Sequence, residues 1–118
     1  MVYTDIRPGR TVKYSLRVAL TFWPLDRKVR FDHDAIERLR IYMGTVCEDF
    51  ESRLLDLVVK GDQVMLLVEY PPKHSVAGLV DSLKGVSSRL LQDARPDLRQ
   101  PEGALWSPSY NAMSREAQ

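Results

Sequence analysis

The side chains that could bind a metal ion or transfer protons are few and scattered along this chain. Its two histidines, His33 and His74, are far apart in sequence and stand beside turn signals, so we expect exposed loop residues rather than ligands. Asp32 and Asp34 have the spacing of a carboxylate pair, but their position before an apolar stripe favours a helix start. Cys47 lies within that stripe and is typical of a buried core residue.

Composition describes an ordinary soluble domain. The chain has 118 residues, of which 44% are hydrophobic and 28% charged, and this length predicts one domain. A single cysteine excludes an internal disulfide and gives no zinc spacing. No apolar run approaches a membrane span and no signal peptide is evident, so we expect a cytoplasmic protein without a membrane partner. Because the net charge is only +1, any nucleic-acid binding must come from local clusters of cations.

The hydrophobic pattern predicts six elements in the order strand, helix, strand, strand, helix, strand. The first strand alternates from residue 12 to 22, and the first helix opens at Asp34 with Glu37 in capping-box register. Strands follow at 52–59 and 63–70, and Ser75 is a candidate cap for a second helix that ends at Pro96. The last strand is predicted at 104–110, where Pro108 suggests an edge or a bulge.

This order predicts an α+β fold of the ferredoxin-like βαββαβ type, an antiparallel sheet with two helices on one face. We predict an irregular N-terminal arm at residues 1–11, the folded domain at 12–110 and a polar, frayed tail at 111–118. The strand at 63–70 is so nearly continuous in apolar residues that it should lie in the sheet centre, with Met65 most simply a core side chain.

Several segments, in order, resemble one family of DNA-processing proteins. Asp62-Gln63-Val64-Met65-Leu66-Leu67 lies where that family has Asp-His-hydrophobic-His-Leu-Leu. The segments 71–76, 83–91 and 105–110 are similar to the loop into its second helix, its Leu-Lys-Gly-Arg-Ser-Ser-Arg helix and its last-strand motif. The chain thus resembles the single-tyrosine transposases with a paired-histidine (HUH) motif, the IS200-like and REP-associated enzymes, as a degenerate member.

The resemblance implies an activity and a set of partners. Members act as dimers on DNA hairpins and single strands, and their paired histidines hold Mg²⁺ or Mn²⁺, which polarises the scissile phosphate. A tyrosine on a C-terminal helix attacks and forms a phosphotyrosine intermediate. We therefore expect a homodimer that binds hairpin or single-stranded DNA. An active transposase is a further possible partner.

The chain departs from the family at the residues that carry this chemistry. Gln63 and Met65 replace the two histidines, and a thioether is a poor ligand for a hard divalent cation. Only eight residues follow Tyr110, which matches the strand motif and not the nucleophile. We expect no catalytic residues, no metal ligands and no cofactor.

Six cations and two serines of the family-like helix are the candidate DNA contacts. Most cations of the whole chain are arginines, which suit bidentate phosphate binding. The candidates are Arg27, Lys28, Arg30, Lys73, Lys84, Ser87, Ser88 and Arg89. For the helix cations a solvated surface is an equal alternative. Trp23 and Trp106 could stack on bases or lie partly buried at strand ends.

Four functions remain open from the sequence. The first is a DNA-binding protein that has lost cleavage. The second is a dimeric interaction module, or an inhibitor of an active transposase, without DNA affinity of its own. The third is a residual nuclease with a rearranged metal site. A general RNA-binding domain of this fold is the fourth, and it lacks the aromatic motif of that class.

Overall fold

The computed structural model describes the backbone of residues 2–6 and 11–115 and the side chains of residues 16–115. Five strands and two helices form in this part of the chain. They are β1 (Val2–Ile6), β2 (Thr11–Phe22), α1 (His33–Asp49), β3 (Arg53–Lys60), β4 (Gln63–Tyr70), α2 (Val76–Ala94) and β5 (Asn111–Arg115), with a short 3-10 turn at Pro96–Leu98. Neither helix combines the length and the apolar composition that a membrane span needs.

The sheet is antiparallel at every pairing, and its main body has the strand order β5-β2-β4-β3. This topology, with α1 and α2 packed on one face, confirms the predicted ferredoxin-like α+β fold. β4 lies between β2 and β3, as its apolar sequence predicted. β3 forms an edge, and its pairing with β4 shifts register between Leu54 and Asp56, which marks a β-bulge.

The core lies between the helices and one face of the sheet. Alternate residues of β2 and β4 point to the helices, because successive side chains of a strand alternate between faces. The buried strand residues are Val18, Leu20 and Phe22 of β2, Leu57 of β3, and Val64, Leu66 and Val68 of β4. Met65 belongs to the other set and lies partly buried on the face without helices. The prediction of a core position for Met65 was therefore wrong.

Both helices begin at a side-chain cap. Ser75 accepts a hydrogen bond from the backbone N–H of Gly78 at 3.0 Å, which confirms the predicted start of α2. In α1 the cap is Asp32, not Asp34, since the Asp32 carboxylate accepts from the backbone N–H of Ala35 at 2.9 Å. The helix therefore starts one residue before Asp34, and Glu37 is out of capping-box register.

Both ends of the chain differ from prediction. The segment 104–110 forms only one isolated bridge, between Trp106 and Pro24, and the last strand is β5 at Asn111–Arg115. Pro108 has no N–H to donate, so a ladder cannot run through it. The predicted polar tail is thus a strand as far as Arg115. The predicted irregular arm contains β1, whose backbone pairs with residues 11–15 of β2.

Polar side chains on one face of α2 hold the segment that leads to β5. Ser87 is fully buried and accepts a hydrogen bond from the Trp106 indole N–H at 2.9 Å, while its own hydroxyl donates to the Leu83 carbonyl at 2.6 Å. Ser88 accepts from the backbone N–H of Leu105 at 3.1 Å. We call this set, together with the bonds of Lys84 and Gln92 described next, the α2 clamp.

Lys84 and Gln92 bind the two ends of the same segment. Lys84 donates to the Ser107 carbonyl at 2.5 Å, and burial lowers the pKa of its ammonium. The Gln92 amide donates to the Gly103 carbonyl and accepts from the backbone N–H of Gln100, both at 2.8 Å. The spacing of 84, 87, 88 and 92 follows one helical face, so the clamp needs no distortion of the helix.

A second contact joins the start of α1 to the end of α2. The Arg95 guanidinium donates to both carboxylate oxygens of Asp32 at 2.8 Å, and to Asp34 and Asp97 at 3.0 and 2.9 Å. These bonds lower the pKa of Asp32 far below its usual range. They also help lower the pKa values of Asp34, where Arg38 is the larger cause, and of Asp97.

The α2 clamp predicts a stability difference between two serines of one helix. Ser87→Ala removes the acceptor of a buried indole N–H, and an unsatisfied buried donor costs about 1–3 kcal/mol. Ser82→Ala is the control, because Ser82 is only partly buried on the same helix. Urea unfolding of both variants measures the free energy of unfolding. Equal values for the two variants would contradict the clamp.

The Arg95 contact predicts a pH dependence of stability. Because the folded-state pKa values of Asp32, Asp34 and Asp97 are depressed, their contribution is present above the unfolded carboxyl pKa of about 4. It is lost as pH falls below that value. The difference in urea midpoint between the wild type and Arg95→Met should therefore hold from pH 7 to about 4 and narrow below it. A difference that does not change with pH would refute this coupling.

Candidate nucleic-acid interface

The two positions that resemble the metal motif lie on the open face of the sheet, opposite the helices. Gln63 and Met65 are two residues apart on β4 and therefore share a face. Met65 stands in a cross-strand row with Thr21 of β2 and Val58 of β3. Neither neighbour offers the carboxylate or imidazole that Mg²⁺ or Mn²⁺ favours, so the donor set does not fit such an ion. Within residues 16–115, no three His, Cys, Asp or Glu side chains are grouped to hold a metal ion.

Four predicted or alternative DNA-contact residues gather at one end of the sheet, beside Gln63. The loop after β2 and the β3–β4 turn meet there, because Phe22 pairs with Val64. The turn reverses through Gly61 at φ +64°, a conformation that suits glycine. We call the surface formed by Trp23, Arg27, Lys28 and Arg30 the basic end.

Internal contacts order the basic end. The Arg27 guanidinium lies 5.9 Å from the centre of the half-buried Trp23 ring and donates to the Asp62 carboxylate. This bond lowers the pKa of Asp62 and raises that of Arg27. Arg30 donates to the carbonyls of Arg27 and Val29 at 2.7 and 2.9 Å, which fixes the loop backbone. The Arg27, Lys28 and Arg30 side chains remain exposed.

The segment held by the α2 clamp borders the basic end. The backbone N–H of Ser107 donates to the Trp23 carbonyl at 2.9 Å, and that of Leu25 donates to Leu105 at 2.9 Å. Tyr110 is 36% exposed, lies edge-on to Phe22 at 6.4 Å and has the Lys84 ammonium 5.6 Å from its ring centre. Tyr110 is thus an accessible aromatic ring beside Lys84 of the clamp.

The Trp106 side chain packs in the core and is not available at the surface. It is 4% exposed, and its ring centre lies 5.8 Å from Phe22 and 5.5 Å from Phe31. Of the two tryptophans considered for base stacking, only Trp23 is accessible.

The other predicted contacts are not brought together. Ser87 is fully buried, so its prediction as a DNA contact was wrong: the hydroxyl that was expected to face phosphate belongs to the clamp. Lys84 and Ser88 are partly buried and bonded within the clamp. Lys73 follows the far end of β4, on the order of 25 Å from the basic end, and contacts Glu51. Arg89 is exposed on α2 beside the 99–103 loop.

The two histidines lie apart, as their separation in sequence suggested. His33 is exposed and is the first residue of α1. His74 is partly buried against Phe50 at 5.1 Å, with its Nε2 3.6 Å from the Glu51 carboxylate. Both differ from the expected exposed loop residue, His33 by lying in a helix and His74 by its burial.

Two features of the site were missed from the sequence. Asp62 was named only as part of the segment that resembles the metal motif, although a carboxylate in the turn beside a basic loop is a signal for the ion pair with Arg27. The clamp also left a signal, since polar residues at 84, 87, 88 and 92 lie on one helical face.

Comparison with known proteins identifies the family to which this chain belongs. The family model described as transposase IS200 like matches residues 12–118. The chain is 26% identical over 108 residues to the ISDra2 transposase TnpA of Deinococcus radiodurans, covering 90% of this chain and 77% of that one. It is 28% identical over 87 residues to the transposase for insertion sequence element IS200 of Salmonella typhimurium, and spans 57% of that protein's length.

Solved structures show the same fold. A putative transposase from Deinococcus radiodurans superposes with a TM-score of 0.81 and 29% identity, over 94% of this chain and 87% of that one. A REP-associated tyrosine transposase bound to a REP hairpin superposes with a TM-score of 0.63 and 13% identity, over 96% of this chain and 64% of that one. With the family match over residues 12–118, these likenesses show that the chain belongs to the IS200-like transposase family.

Proposed function

We propose that this protein is a transposase-like DNA-binding protein that binds hairpin or single-stranded DNA without cleaving it. The observation that carries the proposal is the basic end, where three exposed cations lie in one loop with the accessible Trp23 ring. Guanidinium and ammonium groups bind phosphates, and aromatic rings stack on unpaired bases. A hairpin offers phosphates and unpaired bases close together, at the junction between its stem and its unpaired nucleotides.

The electrostatics of the basic end suit a polyanion. Arg27 is 57% exposed, so a phosphate can reach its guanidinium although Asp62 holds one side of it. Arg30 and Lys28 add positive charge within the same loop, and the carbonyl bonds of Arg30 keep that loop ordered before binding. An ordered loop loses less conformational entropy when DNA binds.

The absence of cleavage follows from the donor atoms on the open face. A glutamine amide and a thioether cannot replace two imidazoles as ligands for Mg²⁺ or Mn²⁺, so the scissile phosphate would lack its polarising ion. Gln63 and Met65 project from one face of β4. They occupy both positions where the family has its paired histidines, so both of these ligands are replaced.

The proposal includes a cytoplasmic homodimer. β3 pairs only with β4 among the described strands, so a second copy could continue the sheet along its outer edge, except at Leu57, whose N–H donates to Asp56 and whose carbonyl accepts from Arg40. The two solved structures named above share the fold.

A second candidate function is an interaction module, or an inhibitor of an active transposase, without DNA affinity. It is favoured by the apolar side chains exposed on the open face, Val58 and Met113, which a DNA-binding role does not need.

DNA binding by the basic end can be measured by fluorescence anisotropy with a labelled hairpin across a salt series. Arg27→Gln and Lys28→Gln should each weaken binding and reduce the slope of log affinity against log salt by about 1. Asp62→Asn should tighten binding, because Arg27 then loses its competing carboxylate.

Arg38→Gln is the matched control, since Arg38 is a partly exposed arginine on α1, away from the loop. Binding that is absent at low salt, or equal losses in Arg38→Gln and Arg27→Gln, would refute the proposal.

Cleavage is tested by incubating this chain and hairpin DNA with Mn²⁺ and then separating the products on a denaturing gel. We expect no covalent protein–DNA adduct and no cut strand, because the ligand positions do not fit the ion. An adduct that disappears when Mn²⁺ is chelated would show that the site is active.

A further inference from the structure

The residues just before the loop cations form a short extended segment whose backbone is fixed on both sides of Pro24. The backbone N–H of Leu25 donates to the Leu105 carbonyl, and that of Ser107 donates to the Trp23 carbonyl, both at 2.9 Å. Pro24 lies between these two bonds, and its side chain is fully buried. Because side chains alternate along an extended segment, Trp23 and Leu25 share the face opposite Pro24. We call this pair the apolar ledge.

Leu25 is held in an exposed position by the bonds on either side of it. It is 48% exposed. A turn follows it at once, since the Asp26 carboxylate accepts from the backbone N–H of Lys28 at 3.0 Å and the Asp26 carbonyl accepts from that of Val29 at 3.1 Å. Single exposed leucines are common on protein surfaces. This one differs because its backbone is fixed and because it lies beside the accessible ring of Trp23.

The charges around the apolar ledge indicate a polyanionic partner. Arg27, Lys28 and Arg30 follow Leu25 within five residues, and their side chains are exposed. Asp26, the one carboxylate of this loop segment, is used by the turn. Charged residues are depleted at the core of protein–protein interfaces, so a protein partner would leave the ledge at its rim. DNA fits both parts, because phosphates bind the cations and the faces of bases cover the leucine.

A leucine side chain reaches the face of a base only where base stacking is interrupted. Apolar side chains, leucine among them, act in this way as wedges between neighbouring bases in DNA-binding proteins. In a hairpin, stacking is weakest at the junction between the last base pair of the stem and the first unpaired nucleotide, since pairing holds only one side of that step. The Trp23 ring beside Leu25 offers a stacking platform for the displaced nucleotide.

We propose that Leu25 is a wedge that inserts between the terminal base pair of a DNA stem and the adjoining unpaired nucleotide, with Trp23 stacked on that nucleotide. Arg27 and Lys28 bind phosphates beside this step. The inference rests on the proposed DNA binding and adds the feature that is recognised, a junction of duplex and single strand. Phosphate contacts give affinity for any strand, whereas the wedge makes the protein favour a stem with an unpaired end.

The test uses a hairpin that carries 2-aminopurine in its terminal base pair, next to a single-stranded tail. Stacking quenches the emission of 2-aminopurine, so insertion of the wedge should raise this emission at least twofold at saturating protein. Leu25→Ser should lose the rise and weaken hairpin binding at least threefold. Its affinity for oligothymidine and its salt slope should match those of the wild type, because no phosphate contact changes. Leu25→Met should keep the rise, because its side chain is also apolar.

Ile41→Ser is the matched control, because Ile41 is 65% exposed on α1 and lies outside the basic end. It should behave as the wild type. The proposal is overturned if the wild type binds the hairpin without a rise in emission, if Leu25→Ser keeps the rise, or if Leu25→Ser weakens hairpin and oligothymidine binding equally. It is also overturned if Leu25→Ser changes the oligomeric state, which would assign the apolar ledge to a second copy.

The outcome for the proposed function is read separately. If Arg27→Gln weakens hairpin binding and Leu25→Ser does not, the wedge is wrong and DNA binding by the basic end stands. If the wild type binds neither the hairpin nor oligothymidine at low salt, both proposals are wrong.

Discussion

A buried hydrogen bond from the Trp106 indole to the Ser87 hydroxyl fixes where the chain returns from α2 to the sheet. Because Trp106 is seated between Phe22 and Phe31, the backbone on either side of it must run along residues 23–25. That course holds Tyr110 beside Phe22 and leads the chain into β5 at Asn111. The course of the segment that borders the basic end, and its entry into β5, depend on this contact together with the other bonds of the α2 clamp.

The regular parts of the fold could be predicted from the sequence because their patterns are local. Alternation in 12–22 and 63–70 identified β2 and β4, and Ser75 identified the start of α2. The last strand could not be located, because the segment 104–110 resembles a strand while its residues bond to α2 and to residues 23–25. The start of α1 was mispredicted for a similar reason. Asp32 caps the helix and also binds Arg95, a residue far away in the sequence.

The candidate site was only partly predictable. A run of loop cations indicates an exposed basic surface wherever the loop lies, so Arg27, Lys28 and Arg30 could be identified without a fold. The sequence could not predict whether Ser87 is exposed or buried, because a serine on a helix is equally compatible with a surface role and with a buried hydrogen bond. Met65 was misassigned although period-2 alternation with Val64 and Leu66 already implied that it faces away from the helices.

The bulge between Leu54 and Asp56 has a consequence for colloidal behaviour. A flat edge strand is a template on which further chains can stack without limit, and such stacking leads to fibres. The extra residue twists β3. Just beyond it, the Leu57 N–H donates to the Asp56 carboxylate at 2.9 Å and the Leu57 carbonyl accepts from Arg40 at 3.2 Å, so an incoming segment finds an interrupted ladder. The bulge and these two side-chain bonds therefore oppose runaway polymerisation along the β3 edge.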